Sequence, residues 1–331
     1  METTPRGNGS SMPPRKGKLK AHHHSFKLMG CGFVVTAVST DPQHAWDAIR
    51  AGVAEMERIE NLISSWKAET HTSEINRNSG IRSVDVPKEL YDLIERSIRV
   101  SRLTNGAFDI CGTLSREYWK FDGKVHPGLG QKELEALRER IDYRKIQLNP
   151  ERCSVFLEQE GMMIGFGGIG KGYAAYRAHR IMAEMGIESG LINASGDLMA
   201  WGTPPQGGGW EVMVRDPEDR EKPLLHFEIP FGSVVTSGSY ENYTIIDGKR
   251  LSHIVDPRTG WPVESLKNVT VICPNPELAD ALATAISVMG IKAGLAMVNR
   301  LQGIECLIID KNNRKYFSNH LQGYATHISK N

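Results

Sequence analysis

The chain reads as an α+β protein, mixed sheets with helices packed against them. Helical and strand-like periods follow one another irregularly, without the regular strand–helix–strand alternation of a parallel α/β sheet. Several strand-like runs are short and close together, as in a meander. No internal repeat and no mid-chain linker divides the 331 residues, of which 40% are hydrophobic and 24% charged. That mixture suits a packed core rather than disorder.

The elements follow in order. Residues 1–25 are rich in Pro, Gly, Ser, Arg and Lys and are expected to be a disordered basic tail, leaving 26–331 as one domain. Residues 26–38 predict a strand that ends before Asp41-Pro42. Ala45, Ile49, Val53, Met56, Ile59 and Ile63 recur at helical spacing over 41–63. Residues 64–86 are polar and rich in turn formers. A second helix runs from Pro87 to Thr104, with Leu90, Leu93, Ile94 and Ile98 on one face, and Asn105-Gly106 stops it. Residues 131–141 make a charged helix, and 145–149, 153–158 and 161–165 a meander. A glycine-dense loop then opens a helix over 168–186. Strands are expected at 188–194, 210–215, 224–229, 233–237 and 243–247, with a turn at Ser195-Gly196-Asp197. Helices 276–289 and 291–301 precede strands 304–309 and 314–318.

Composition narrows the function. Lys+Arg 40 against Asp+Glu 39 leaves a formal charge of +1, which argues against nucleic-acid binding. No uninterrupted apolar run approaches the roughly 18 residues of a membrane span, so no transmembrane segment is expected. The five cysteines are scattered and form no CxxC pair, which suits free thiols in a reducing compartment. Leu28-Met29-Gly30-Cys31 imitates a lipoprotein cleavage box, but Lys18, Lys20, His22, His23, His24 and Lys27 stand where an apolar stretch would be needed. The box is read as accidental and the expected location as cytoplasmic.

The loop Gly165-Phe166-Gly167-Gly168-Ile169-Gly170-Lys171-Gly172 fits GxGxxG and most of a P-loop, and satisfies neither. Gly172 stands where a P-loop needs a hydroxyl, and the loop follows a meander rather than opening a βαβ unit. Glycines before a helix still let backbone N–H groups approach an anion. Lys171 in the first turn is disfavoured by the helix dipole, which suggests an anionic ligand as counter-charge. A tight turn with a solvated lysine explains the loop equally well.

Four further motifs follow. They are Asn193-Ala194-Ser195-Gly196-Asp197, Thr236-Ser237-Gly238-Ser239-Tyr240, His253-Ile254-Val255-Asp256-Pro257-Arg258-Thr259-Gly260, and Ala279-Asp280-Ala281-Leu282-Ala283-Thr284. Asp280 and Thr284, four apart after Asn275-Pro276, share one helix face. Their two oxygens suit Mg²⁺, and by spacing alone they suit a solvated face as well. His253 titrates near neutrality and is a candidate general base, or a structural histidine. The segment 256–260 reads as a turn.

In this order, behind the glycine loop and with Met29-Gly30 and Gly106-Ala107-Phe108-Asp109 upstream, these motifs resemble the ApbE family of FAD:protein FMN transferases over about residues 26–320. The resemblance implies an ApbE-like, T-fold-related architecture. It implies FAD as substrate, Mg²⁺ as cofactor, and a flavin-accepting target protein whose threonine receives FMN while AMP leaves. It implies FAD contacts at Met29, Trp66, Ala107, Phe108, Asp109, Gly165, Lys171, Thr236, Ser237, Gly238 and Ile254. It implies His253 as the base, and Asp280 and Thr284 as metal ligands with main-chain contributions near Gly168 and Ala283. Three positions depart from the family pattern: Gly165 replaces an aspartate, Cys31 a threonine and Trp66 a tyrosine. The same site would also serve an FAD pyrophosphatase giving FMN and AMP, or a protein that binds FAD without reacting.

Overall fold

The structure, a computed structural model, describes residues 17–215, 223–229, 231–238, 242–264, 266–321 and 325–328. Of the expected features, residues 1–16 of the tail, with Ser239 and Tyr240 of the second motif, lie outside these.

An eight-stranded antiparallel sheet organises the molecule, in the order β1 (Lys20–Leu28), β2 (Cys31–Ser39), β6 (Gly190–Ala194), β7 (Asp197–Trp201), β10 (Phe231–Gly238), β14 (Asn268–Cys273), β15 (Glu305–Ile309) and β16 (Lys315–Phe317). Helices α1 (Pro42–Ile63), α6 (Gly170–Glu184) and α7 (Pro276–Val298) cover one face. The other face carries β8 (Trp210–Arg215), β9 (Pro223–Ile229) and β17 (Ala325–Ile328). Side-chain alternation builds both layers: Val235 and Val271 pack towards α7, whereas Val234 and Ile272 pack beneath β8 and β9. Two small sheets complete the fold. One holds β3 (Val84–Asp85), β5 (Ser154–Leu157) and β4 (Ile146–Asn149); the other holds β11 (Tyr243–Ile246), β12 (Lys249–Asp256) and β13 (Trp261–Glu264). Helices α2 (His71–Arg77), α3 (Lys88–Leu103), α4 (Ser115–Tyr118) and α5 (Gln131–Arg140) fill the remaining connections. The α+β class and packed mixed sheets are as expected.

Several boundaries differ. Residues 20–25 are not tail: they pair with β2 from Lys20↔Ser39 to Leu28↔Cys31. The strand is an edge, and its side chains stay largely exposed, so its polar His and Lys composition imitates a solvated tail. Residues 161–165 form no strand, and α2 lies within the polar stretch 64–86. Thr70 caps α2 by accepting from the Ser73 N–H at 3.1 Å. The single strand expected over 26–38 is a hairpin, β1 and β2 turning at Met29-Gly30, and β3, β7, β12, β13, β14 and β17 stand where no strand is expected. β14 is buried throughout and therefore lacks the alternation that marks a half-buried strand.

The two C-terminal helices are one α7, interrupted at Gly290, whose φ of 77° and ψ of 178° leave the helix. By length and composition α7 alone among the described helices could cross a membrane, a property that buried core helices share. Here its apolar surface is used against β10, β14 and α6.

Candidate functional site

A cavity of about 710 Å³ opens between the helical layer, the ends of β6, β7 and β10, and the small sheet carrying β12. Its size fits a cofactor-sized molecule. Its walls bring together Trp66, Ala107, Phe108, Asp109, Gly165, Gly168, Lys171, Thr236, Ser237, Gly238, His253, Ile254, Asp280 and Thr284. Met29 and Ala283 are not in the wall. Met29 sits at φ 49° in the β1–β2 turn with Gly30 at 73°, a pairing that matches the twist of a two-residue hairpin. Its N–H donates to Glu60 Oε1 at 2.7 Å. Ala283 is fully buried in the α7 core.

The glycine loop is built by close approach. None of its glycines has a positive φ. A Cβ on Gly172 would lie 2.1 Å from the Pro276 carbonyl oxygen, so α6 and α7 could not meet with any side chain there. The helix N-terminus already holds an anion. Asp280 Oδ2 accepts from the Gly172 N–H at 3.2 Å. Lys171 Nζ donates to Asp197 Oδ2 and lies 4.0 Å from Asp280 Oδ1. The first-turn lysine is therefore balanced by two aspartates of the protein itself, which corrects the sequence argument for a ligand as its counter-charge. Burial alone would lower the Lys171 ammonium, but Asp280 and Asp197 hold it above its ordinary value. Burial likewise raises the Asp280 carboxyl, with Lys171 pulling against it. Asp197 also accepts from the Thr236 N–H at 2.9 Å, fixing β10 to β7 at the cavity wall.

Two carboxylates beside one ammonium make the cluster net negative when both are ionised, with main-chain N–H groups sharing that charge. Thr284 Oγ1 lies 3.0 Å from where a Cβ of Gly168 would stand, so the hydroxyl abuts the glycine main chain. Among the described residues no trio of His, Cys, Asp or Glu could by itself hold a metal. One carboxylate with a hydroxyl and main chain suits Mg²⁺, which keeps several ligands from water and phosphate.

His253 lies on β12 where the pairing with β13 shifts register between Leu251 and Val255. Such irregularities re-aim side chains at sites. Its Nδ1 is 3.2 Å from the Asn242 carbonyl oxygen, which can only accept, so the neutral ring donates from Nδ1, and Nε2 has no partner among the described residues. Burial pulls the imidazole below its ordinary value; the Asn242 carbonyl opposes this, and the charges of Arg116 and Lys171 add to it. The ring is therefore neutral at pH 7.

Asp109 has a scaffold role as well. Its Oδ1 accepts from the Cys111 N–H at 2.8 Å and its Oδ2 from the Tyr143 N–H at 2.7 Å. Burial still raises it to about 6. Trp66 is 75% exposed at the rim, an aromatic face with nothing stacked on it among the described residues. At the β6–β7 turn, Ser195 (φ 52°) and Gly196 (φ 103°) form a second tight hairpin, and Gly32 N–H donates to Ser195 Oγ at 3.2 Å. Cys31 also lines the cavity. Burial raises its thiol against a hydrogen bond to Ser195.

Sequence reasoning missed Thr113 and Arg116, which lie on the helical turns at 110–118 and reach the cavity. Thr113 accounts for the departure at Gly165: a Cβ there would come 2.6 Å from Thr113 Oγ1 and 2.9 Å from its Cβ. The place of the expected aspartate is already filled by a threonine.

A model of the ApbE family matches residues 29–308. The FAD:protein FMN transferase of Klebsiella pneumoniae (strain 342) is 31% identical over 292 residues, covering 86% of this chain and 83% of that protein. The FAD:protein FMN transferase of Treponema pallidum (strain Nichols) is 30% identical over 274 residues, covering 77% and 74%. Among solved structures, the ApbE protein of Thermotoga maritima matches with a TM-score of 0.84 at 27% identity, covering 93% of this chain and all of that one.

Proposed function

The chain belongs to the ApbE family and is a transferase, and from that premise we propose that it moves FMN from FAD to a threonine hydroxyl of a target protein, with Mg²⁺ as cofactor and AMP as leaving group. The observation that carries this reading is the shared cavity. A neutral His253, whose Nε2 has no partner among the described residues, and the oxygen cluster of Asp280, Thr284 and the Gly168 main chain line the same space.

In the proposed reaction the threonine oxygen bonds to the phosphorus of the FMN half. The bond from that phosphorus to the bridging oxygen breaks, and its electron pair leaves with AMP. The hydroxyl proton passes to His253 Nε2. General bases contribute typically about 10²–10⁴-fold. Asp280, Thr284 and main chain at Gly168 would hold Mg²⁺, with Ala283 contributing main chain by resemblance. The ion would supply charge neutralisation on the phosphate oxygens. Lys171 keeps Asp197 and Asp280 in place, and its part is to orient these carboxylates. Trp66 offers a stacking face for one of the two ring systems of FAD.

Incubation with FAD, Mg²⁺ and a threonine-bearing acceptor protein tests the proposal. The expected products are a flavinylated acceptor and AMP in equal amounts. Free FMN with unmodified acceptor would make the protein a pyrophosphatase, and unchanged FAD a binding protein.

We also propose cytoplasmic residence. Leu28 and Cys31 face each other across the Met29-Gly30 turn, so cleavage before Cys31 would strip β1 from the sheet. An intact mass lacking thirty residues and carrying acyl groups would overturn this.

A further inference from the structure

The charged side chains lining the cavity among the described residues are Asp109, Arg116, Lys171, Asp197 and Asp280. Four of them already have partners. Asp109 accepts two main-chain N–H groups, and Lys171 is held between Asp197 and Asp280. Arg116 differs. It is exposed, it lines the cavity, and among the described residues it has neither a hydrogen bond nor a carboxylate partner. Its Nη2 lies 3.8 Å from where a side chain on Gly167 would begin, so the guanidinium reaches across the glycine loop. Its charge is also felt at His253. Thr113 and Arg116, three residues apart on one helical stretch, both face this space.

We propose that Arg116 is the residue that recognises the phosphates of the ligand, a role the lysine of the glycine loop cannot fill while it is neutralised by two aspartates. An arginine fork presents several donors to phosphate oxygens, and a guanidinium without a protein partner loses no existing ion pair when it binds them. The inference rests on the proposed reading of FAD as the substrate and adds a specificity determinant to it. The selected class is a phosphate-bearing flavin, in preference to riboflavin.

The test is calorimetric titration of the full chain with FAD and with riboflavin, in Mg²⁺, for the wild type, Arg116→Ala and Arg116→Lys. Hydrogen bonds to charged groups support a loss of about 10–100-fold in FAD affinity for Arg116→Ala. Riboflavin affinity and melting temperature should be unchanged, and Arg116→Lys should fall between. FAD affinity of the wild type should also weaken more steeply with salt than that of Arg116→Ala. If the wild type prefers FAD and Arg116→Ala keeps that preference, the role of Arg116 is refuted while the flavin reading stands. An equal loss for both ligands, or a lowered melting temperature, would make Arg116 structural and overturn the inference. If the wild type binds FAD no better than riboflavin, the dinucleotide reading fails and the inference falls with it.

Discussion

Gly165→Ala adds one methyl group where Thr113 already stands. The new carbon would lie 2.6 Å from Thr113 Oγ1, 2.9 Å from its Cβ and 3.0 Å from its Cγ2. Comfortable carbon contacts begin near about 3.5 Å, so threonine or loop must move by roughly half an ångström or more. Overpacking of this kind costs about 1–3 kcal/mol. Backbone strain adds nothing, because φ at Gly165 is not positive. Thr113→Gly removes all three offending atoms, at a cost of about 0.5–1 kcal/mol in backbone freedom. On that background Gly165→Ala should be nearly free, giving a coupling energy of about 1–3 kcal/mol, within the range for residues in contact. Urea unfolding of the four proteins measures it, provided the slopes agree. An equal cost of Gly165→Ala on both backgrounds would show that Thr113 is not what excludes a side chain, and the account of this departure would fail. Gly165→Asp with Thr113→Gly then tests the chemistry: the restored carboxylate should raise FAD affinity above that of Thr113→Gly alone.

Other variants address the remaining assignments. His253→Ala should bind FAD nearly as the wild type does and transfer FMN about 10²–10⁴-fold more slowly in single turnovers; a rate defect explained by lost binding would return the histidine to a structural role. Because burial lowers its folded value below the ordinary 6.5, the base stays active at pH 7, and kcat/KM should decline only as pH falls below that value. The same sign applies to stability: the unfolded state takes up the proton first, so this contribution is present above pH 6.5 and is lost as pH falls through the lower folded value. Asp280→Asn should abolish Mg²⁺-dependent turnover, and Thr284→Val should reduce it less, since water can replace a neutral hydroxyl; full activity of Asp280→Asn at low Mg²⁺ would remove the ligand assignment. Lys171→Met should destabilise by about 3–5 kcal/mol, as removal of one partner leaves two buried carboxylates unpaired; thermal unfolding decides whether that ion pair is structural.

What could be read from the sequence was local. The helices at α1 and α3 show their apolar faces, and Asn275-Pro276 marks the start of α7: Asn275 Oδ1 accepts from the Leu278 N–H at 3.2 Å. His253, Asp280 and Thr284 stood out through motif order. Their partners did not. Asp197 meets Lys171 from 26 residues away, through β7, a strand whose inner and outer faces are both partly covered. The proton position on His253 depends on the Asn242 carbonyl, and β12 was not anticipated. Thr113 and Arg116 sit in adjoining helical segments of five and four residues, too short to show a period, and neither residue type signals a site by itself. The lysine of the glycine loop shows this most directly: the helix dipole calls for a negative charge beside it, and only the tertiary structure identifies that charge as the protein's own.

The interruption at Gly290 divides α7 unequally in purpose. Residues 276–289, which carry Asp280, Ala283 and Thr284, include no exposed position, whereas beyond Gly290 exposed positions such as Lys292, Ala293 and Ala296 become common. A continuous rod would transmit any displacement of its far end to the carboxylate by leverage. A break in the hydrogen-bonded ladder works as a mechanical fuse, so substitutions or contacts on the outer half can tilt that half alone. The half that carries Asp280 and Thr284 is thereby free to keep its geometry while the surface beyond Gly290 changes.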